Sequence, residues 1–173
     1  MSKAAKTNLI LFLACVGLFL IAWLQPGLHK DIMLSFTDLR AEQLHTIVIQ
    51  RSGLESVKMV KKEAQWWLIE PEQARANSLR VATITALAEK RSYAQFHAED
   101  EDLQRYQLKD PKVSVWLNDK QFAIGAKHPV KELRYAMAID MDSRSSGHTI
   151  HLIDDKVFYQ LRSNLDTFIH KVP

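Results

Sequence analysis

Seven histidines and 20 Asp and Glu residues are the side chains of this chain best equipped for chemistry. Their spacing decides how far that goes. His148 and His151 stand three apart, with Asp140 and Asp142 just upstream, and imidazoles and carboxylates ligate Zn2+ when they converge. On a strand, residues three apart face opposite sides, so this pair converges only if the segment is a loop. Asp140-x-Asp142-x-Arg144 begins like a calcium loop, yet Arg144 stands where a third oxygen ligand belongs. Solvated hairpin residues are the favoured reading, and neither a metal nor another cofactor is expected. Nucleophilic catalysis fares no better: there is no G-x-S-x-G elbow and no S-x-x-K, and Cys15 lies inside an apolar run. Glycines at 17, 27, 53, 125 and 147 are too scattered to cradle a phosphate. An enzyme is not expected, and no catalytic residue is assigned.

Binding is better served by the paired tryptophans. Along a strand, Trp66 and Trp67 must point to opposite faces. If Trp66 and Leu68 are the inward pair, Trp67 and Ile69 lie on the other face. Either a helix covers them or Trp67 is an aromatic anchor for a partner, with Ile69 beside it.

The elements that would position these residues follow from periodicity. Leu44–Gln50 alternates, Ser52-Gly53 is a turn, Val57–Lys61 is a second strand, and Trp66–Ile69 is a third that Pro71 ends. Asn77 or Ser78 caps a helix over Leu79–Arg91, with Val81, Ile84, Leu87 and Ala88 on its core side. Tyr93–Phe96 is a short strand. Glu99–Asp102 sits at the start of a helical turn ending near Leu108, where free amides favour acids. A second meander comprises Val113–Leu117, a turn at Asn118-Asp119, Gln121–Ile124, Leu133–Ile139, a loop over Asp142–Gly147, and Thr149–Ile153. Asp154 or Asp155 then caps a closing helix bearing Phe158, Leu161, Leu165, Phe168 and Ile169. The fold class is α+β: one domain of two antiparallel meander-plus-helix halves behind an N-terminal transmembrane helix.

That helix is the run Leu9–Leu24, sixteen residues without a polar side chain. It spans about 24 Å as a helix, near the thickness of a hydrocarbon core. Lys3 and Lys6 precede it, and no small-x-small cleavage site stands at its end. A retained anchor is favoured over a cleaved or lipoprotein signal. The basic residues place the N-terminus inside. The expected layout is a cytoplasmic tip over 1–8, an anchor over 9–25, a juxtamembrane linker over 26–43 and a periplasmic domain over 44–173, at a bacterial inner membrane. Without Lys3 and Lys6 the outer part has 21 Lys and Arg against 20 Asp and Glu. That near-neutral, interspersed charge excludes a nucleic-acid surface. Lys58, Lys61 and Lys62 read as a guarded strand edge, with attraction to anionic head groups as the minority reading.

Four short motifs in order carry a resemblance: Trp66-x-Leu68-x-x-Pro71, Tyr106-Gln107-Leu108-x-x-Pro111, Ile124-Gly125 and Arg134-Tyr135. Over about residues 44–170 the chain resembles the bacterial family known as domain of unknown function 4340. The resemblance implies that Trp66 and Leu68 face inward, and Gln107 replaces the glycine usual there. The resemblance implies an extracytoplasmic module, often encoded beside transporter-like membrane proteins, and brings no catalytic or ligand-binding residue. The expected function is a membrane-anchored accessory module that contacts a membrane or periplasmic protein. A ligand- or carbohydrate-sensing module is the first alternative, and a tethered hydrolase the second.

Overall fold

The computed structural model describes residues 3–23, 36–139 and 148–171. The expected loop 142–147, Asp140 and most of the linker 26–43 lie outside those residues. Two compact units are present, Met1–Ile32 and Met33–Pro173. The first contains α1, Lys3–Trp23, 21 residues long. Leu11, Phe12, Leu13, Leu18, Phe19 and Leu20 are all exposed on it, and at 3.6 residues per turn they take up more than half its circumference. Among the described residues no helix is long and apolar enough to cross a membrane, so the expected span is not found there. Leu24, the last residue of the apolar run, is not one of them.

The second unit begins ahead of residue 44, because Phe36 is buried against Phe122 and His151. Its strands are β1 Thr46–Arg51, β2 Leu54–Lys62, β3 Gln65–Glu70, β4 Ala74–Arg75, β5 Ala94–Ala98, β6 Val113–Leu117, β7 Lys120–Lys127, β8 Leu133–Ile139 and β9 His148–Asp154. They form one antiparallel sheet in the order β4-β3-β2-β1-β6-β7-β8-β9-β5. Two meanders therefore meet along β1 and β6, in the register Val48 opposite Trp116. Gly53 at φ +74° and Asn118 at φ +58° make the tight turns between β1 and β2 and between β6 and β7.

Alternation gives the sheet two faces. Ile47, Ile49, Val57, Met59, Leu68, Val113, Val115, Leu117, Phe122 and Ile124 share the first, which packs against Val81, Ile84, Leu87, Leu161 and Phe168 in the main core. The second face is covered at its β7–β9 end by Leu103 and Leu108, which pack on Ala123, Met137 and Ile150.

Both expected helices are shorter than their apolar stripes. The helix over 79–91 is α2, Ser78–Thr85, with the Asn77 side chain accepting from the amides of Leu79 and Arg80. Beyond Thr85 the bonds tighten to three-residue spacing, Leu87 to Ile84 and Ala88 to Thr85. The Ala88 carbonyl is claimed by the Thr37 hydroxyl at 2.7 Å and that of Lys90 by the Phe36 amide at 2.9 Å. Outside donors thus tie down the segment that follows α2. The closing helix is α3, Lys156–Leu161, followed by a separate turn at Leu165–Thr167. Arg51 explains the break, since it draws the Ser163 carbonyl onto its guanidinium at 2.6 Å. Core burial of Leu161 and Phe168 is kept regardless. Asp155 occupies the N-cap position of α3 without a side-chain cap bond, and the Asp154 carboxylate accepts from the Lys156 amide at 2.9 Å. Glu99–Asp102 heads a chain of hydrogen-bonded turns containing no α-helix.

Gln107 adopts φ +54°, which an L side chain tolerates poorly. Glycine pays more backbone entropy, which offsets part of the relief, so Gln107→Gly should gain about 0.5 kcal/mol. Denaturant unfolding monitored by tryptophan fluorescence checks this, and a loss of stability would refute it.

Candidate functional site

Within the second unit, the side chains at the β3–β2–β1–β6 end of the second face join neither core cluster among the described residues. Cross-strand register sets Arg75, Trp67, Val60 and Thr46 in one row, and Lys58, Val48, Trp116 and Gln121 in the next. Trp67 is 40% exposed and Ile69, Val60, Val48 and Trp116 are half-buried. None of the five belongs to either core cluster. Trp67 keeps this exposure within the second unit, where no helix packs over it among the described residues. Trp66 packs on the main core beside buried Leu68, on the side expected.

Around these apolar groups stand polar ones: Lys58 at 3.6 Å from Glu70, and Arg75 donating to the Gln65 side chain at 2.9 Å. An apolar centre with a polar rim is the anatomy of a protein-contact surface. Trp116 went unremarked in the sequence reading, although the pattern contained it. In Val113-x-Val115-x-Leu117 the inward positions are odd, so the tryptophan between them must face away.

The motif residues Tyr106, Leu108, Gly125 and Arg134 converge elsewhere. The Tyr106 carbonyl accepts from the Ala126 amide at 2.7 Å, laying the 106–108 turn directly on Gly125. Arg134 donates to the Gly125 carbonyl at 2.8 Å and to Asp155 at 2.7 Å, and its guanidinium lies 3.7 Å from the centre of the Phe158 ring. Tyr135 packs on Tyr106 at 4.6 Å between ring centres. These residues hold β7, β8, α3 and the 106–108 turn together; theirs is a structural junction. Burial, with Tyr106 beside it, pushes the Tyr135 hydroxyl up from its ordinary value. The hydrogen bond to Glu132, helped by Asp155, holds the Lys127 ammonium above its usual range.

Strand alternation sends the two candidate metal-binding histidines apart. His148 meets Asp100 at 2.5 Å on one face, whereas His151 is buried on the other against Phe36. Among the described residues no three His, Cys, Asp or Glu side chains gather as a metal site. Three clefts of about 350, 400 and 310 Å3 lie along the surface, and no Phe, Tyr or Trp lines any of them.

Among the described residues His151 Nδ1 has no hydrogen-bond partner, and burial lowers its pKa from 6.5. A folded-state pKa below the unfolded one means that the unfolded chain binds the proton more readily. Stability is then complete above about pH 6.5 and falls as pH drops through that value toward the folded pKa. His151→Leu should flatten the decline between pH 7 and 5 seen in thermal melts, and an unchanged slope would refute this.

No curated protein and no solved structure matches the chain. A family model described as Domain of unknown function (DUF4340) matches residues 66–173, a stretch that includes all four motifs and both tryptophans of β3. The chain belongs to that family.

Proposed function

We propose that this protein is a single-pass membrane-anchored accessory module, its α+β domain held on the periplasmic side of a bacterial inner membrane, and that it works by contacting a membrane or periplasmic protein of an envelope complex. One observation carries the reading: the open sheet face on which Trp67, exposed at 40%, stands among Val48, Val60, Ile69 and Trp116. An uncovered aromatic and aliphatic surface of that kind costs free energy in water and is retained where a partner buries it. The anchor rests on the Leu9–Leu24 run and on the apolar side chains exposed along α1, for which lipid is the favourable solvent.

The test is crosslinking in membranes with the full chain, followed by identification of captured proteins. The wild type should capture a defined partner, and Trp67→Ala should reduce capture about tenfold or more, as expected for an interface hot spot. Capture of no protein, or capture indifferent to Trp67→Ala and Trp116→Ala, would overturn the contact. Protease added to spheroplasts should digest the C-terminal domain; full protection would overturn the topology.

A further inference from the structure

The nine-stranded sheet ends very differently at its two edges. β4 is two residues long, and the chain beyond it is bridged to Ile169 at Ala76. β5 is five residues, Ala-Gln-Phe-His-Ala, paired with β9 on one side only among the described residues. Edge strands are ordinarily protected by lysine, proline, a bulge or a covering segment. β5 itself has no lysine or proline, and Tyr93, Ala94, Gln95 and His97 are exposed.

The charge around β5 says what fits it. Lys90 and Arg91 come just before the strand, and Glu99, Asp100, Glu101 and Asp102 just after it. A second β5 laid alongside in parallel would set basic flank on basic flank. Laid antiparallel, each basic flank falls beside the other copy's acidic flank, at both ends of the contact. With the twofold axis at Phe96, Gln95 of one copy lies opposite His97 of the other, Ala94 opposite Ala98, and Phe96 opposite Phe96. No like charges are opposed within the strand, and Phe96 is already held by Tyr106 and Tyr135 at 5.5 and 6.2 Å between ring centres. We infer that β5 is a self-pairing edge through which two copies of this chain join into one continuous antiparallel sheet. The contact is isologous and closes on itself, so it gives a dimer and no polymer. It lies at the opposite end of the sheet from the tryptophan face and does not depend on the proposal made for that face.

The full-length protein in lipid nanodiscs or detergent tests this, in a Cys15→Ala background. Under mild oxidation Phe96→Cys should form a disulfide dimer about tenfold faster than Gln95→Cys, because only position 96 meets its own copy at cross-strand distance. Gln95→Lys with His97→Lys opposes two lysine pairs and should weaken dimerisation about tenfold or more. Gln95→Lys with His97→Glu restores opposite charges at the same positions and should recover it. Light scattering reports mass, and tryptophan fluorescence confirms that each variant folds. A monomer at every concentration, a dimer indifferent to the double lysine change, or equal crosslinking at 95 and 96 would each overturn the inference.

Discussion

Asp155→Ala should lower the unfolding free energy by about 3 to 5 kcal/mol, the cost of stranding a buried charge. The Asp155 side chain is 3% exposed and that of Arg134 is 9% exposed. Their hydrogen bond at 2.7 Å is reinforced by Lys127, 3.3 Å from the other carboxylate oxygen. Among the described residues, removing the carboxylate leaves Arg134 the Gly125 carbonyl and the Phe158 ring. Neither supplies a counter-charge. Water cannot easily replace it either, since the guanidinium is packed between β7, β8 and α3. Exchanging both partners for apolar groups, Arg134→Met with Asp155→Leu, should restore most of the loss, because no orphaned charge remains. Guanidinium chloride titration of each variant gives the comparison. A loss below about 1 kcal/mol for Asp155→Ala, typical of a surface pair, would show that the pair is effectively solvated.

Gly125→Ala should cost about 1 to 3 kcal/mol by overpacking, although it adds a single methyl to a strand. A Cβ there would stand 2.3 Å from the Tyr106 carbonyl oxygen and 2.9 Å from a Leu108 methyl. The nearer obstacle is backbone, which yields only if the whole 106–108 turn lifts. Lifting that turn breaks the 2.7 Å bond from the Ala126 amide to Tyr106 and uncovers Met137 and Ile150. Hydrogen exchange should therefore accelerate at the Ala126 amide beyond what global destabilisation explains. Uniform acceleration throughout the sheet, or none, would count against this account.

Much of the fold could be read from alternation and turn chemistry. Leu133–Ile139 is a strand with the predicted boundaries, Asn118-Asp119 is the tight turn expected, and Asn77 caps its helix. The sequence overstates both helices because the apolar stripe continues where the hydrogen-bond ladder does not. Leu87 and Ala88 stay buried after α2 ends, and Phe168 after α3 ends. Periodicity reports which side chains go inward. It is silent on Thr37, Phe36 and Arg51, which take carbonyls from residues about 50 to 110 positions away. The Arg134–Asp155 pair was hidden for a related reason. Two charged residues 21 apart look solvated until sheet and helix bring them together. For the tryptophan face, Trp67 and Ile69 were visible on β3 alone, whereas Trp116 and Val48 join them only through pairing across β1 and β6.

That same pairing has a kinetic consequence. Within each meander the strands are neighbours in sequence, but Ile47 meets Leu117 across seventy positions, and Ala94 meets Leu152 across fifty-eight. Closing loops of that size costs entropy before any contact repays it, and slows folding accordingly. Local hairpins should thus appear first and the central zipper last. Until it closes, Ile47, Ile49, Val113 and Val115 remain open to water, and this is the interval in which the chain is most prone to aggregate.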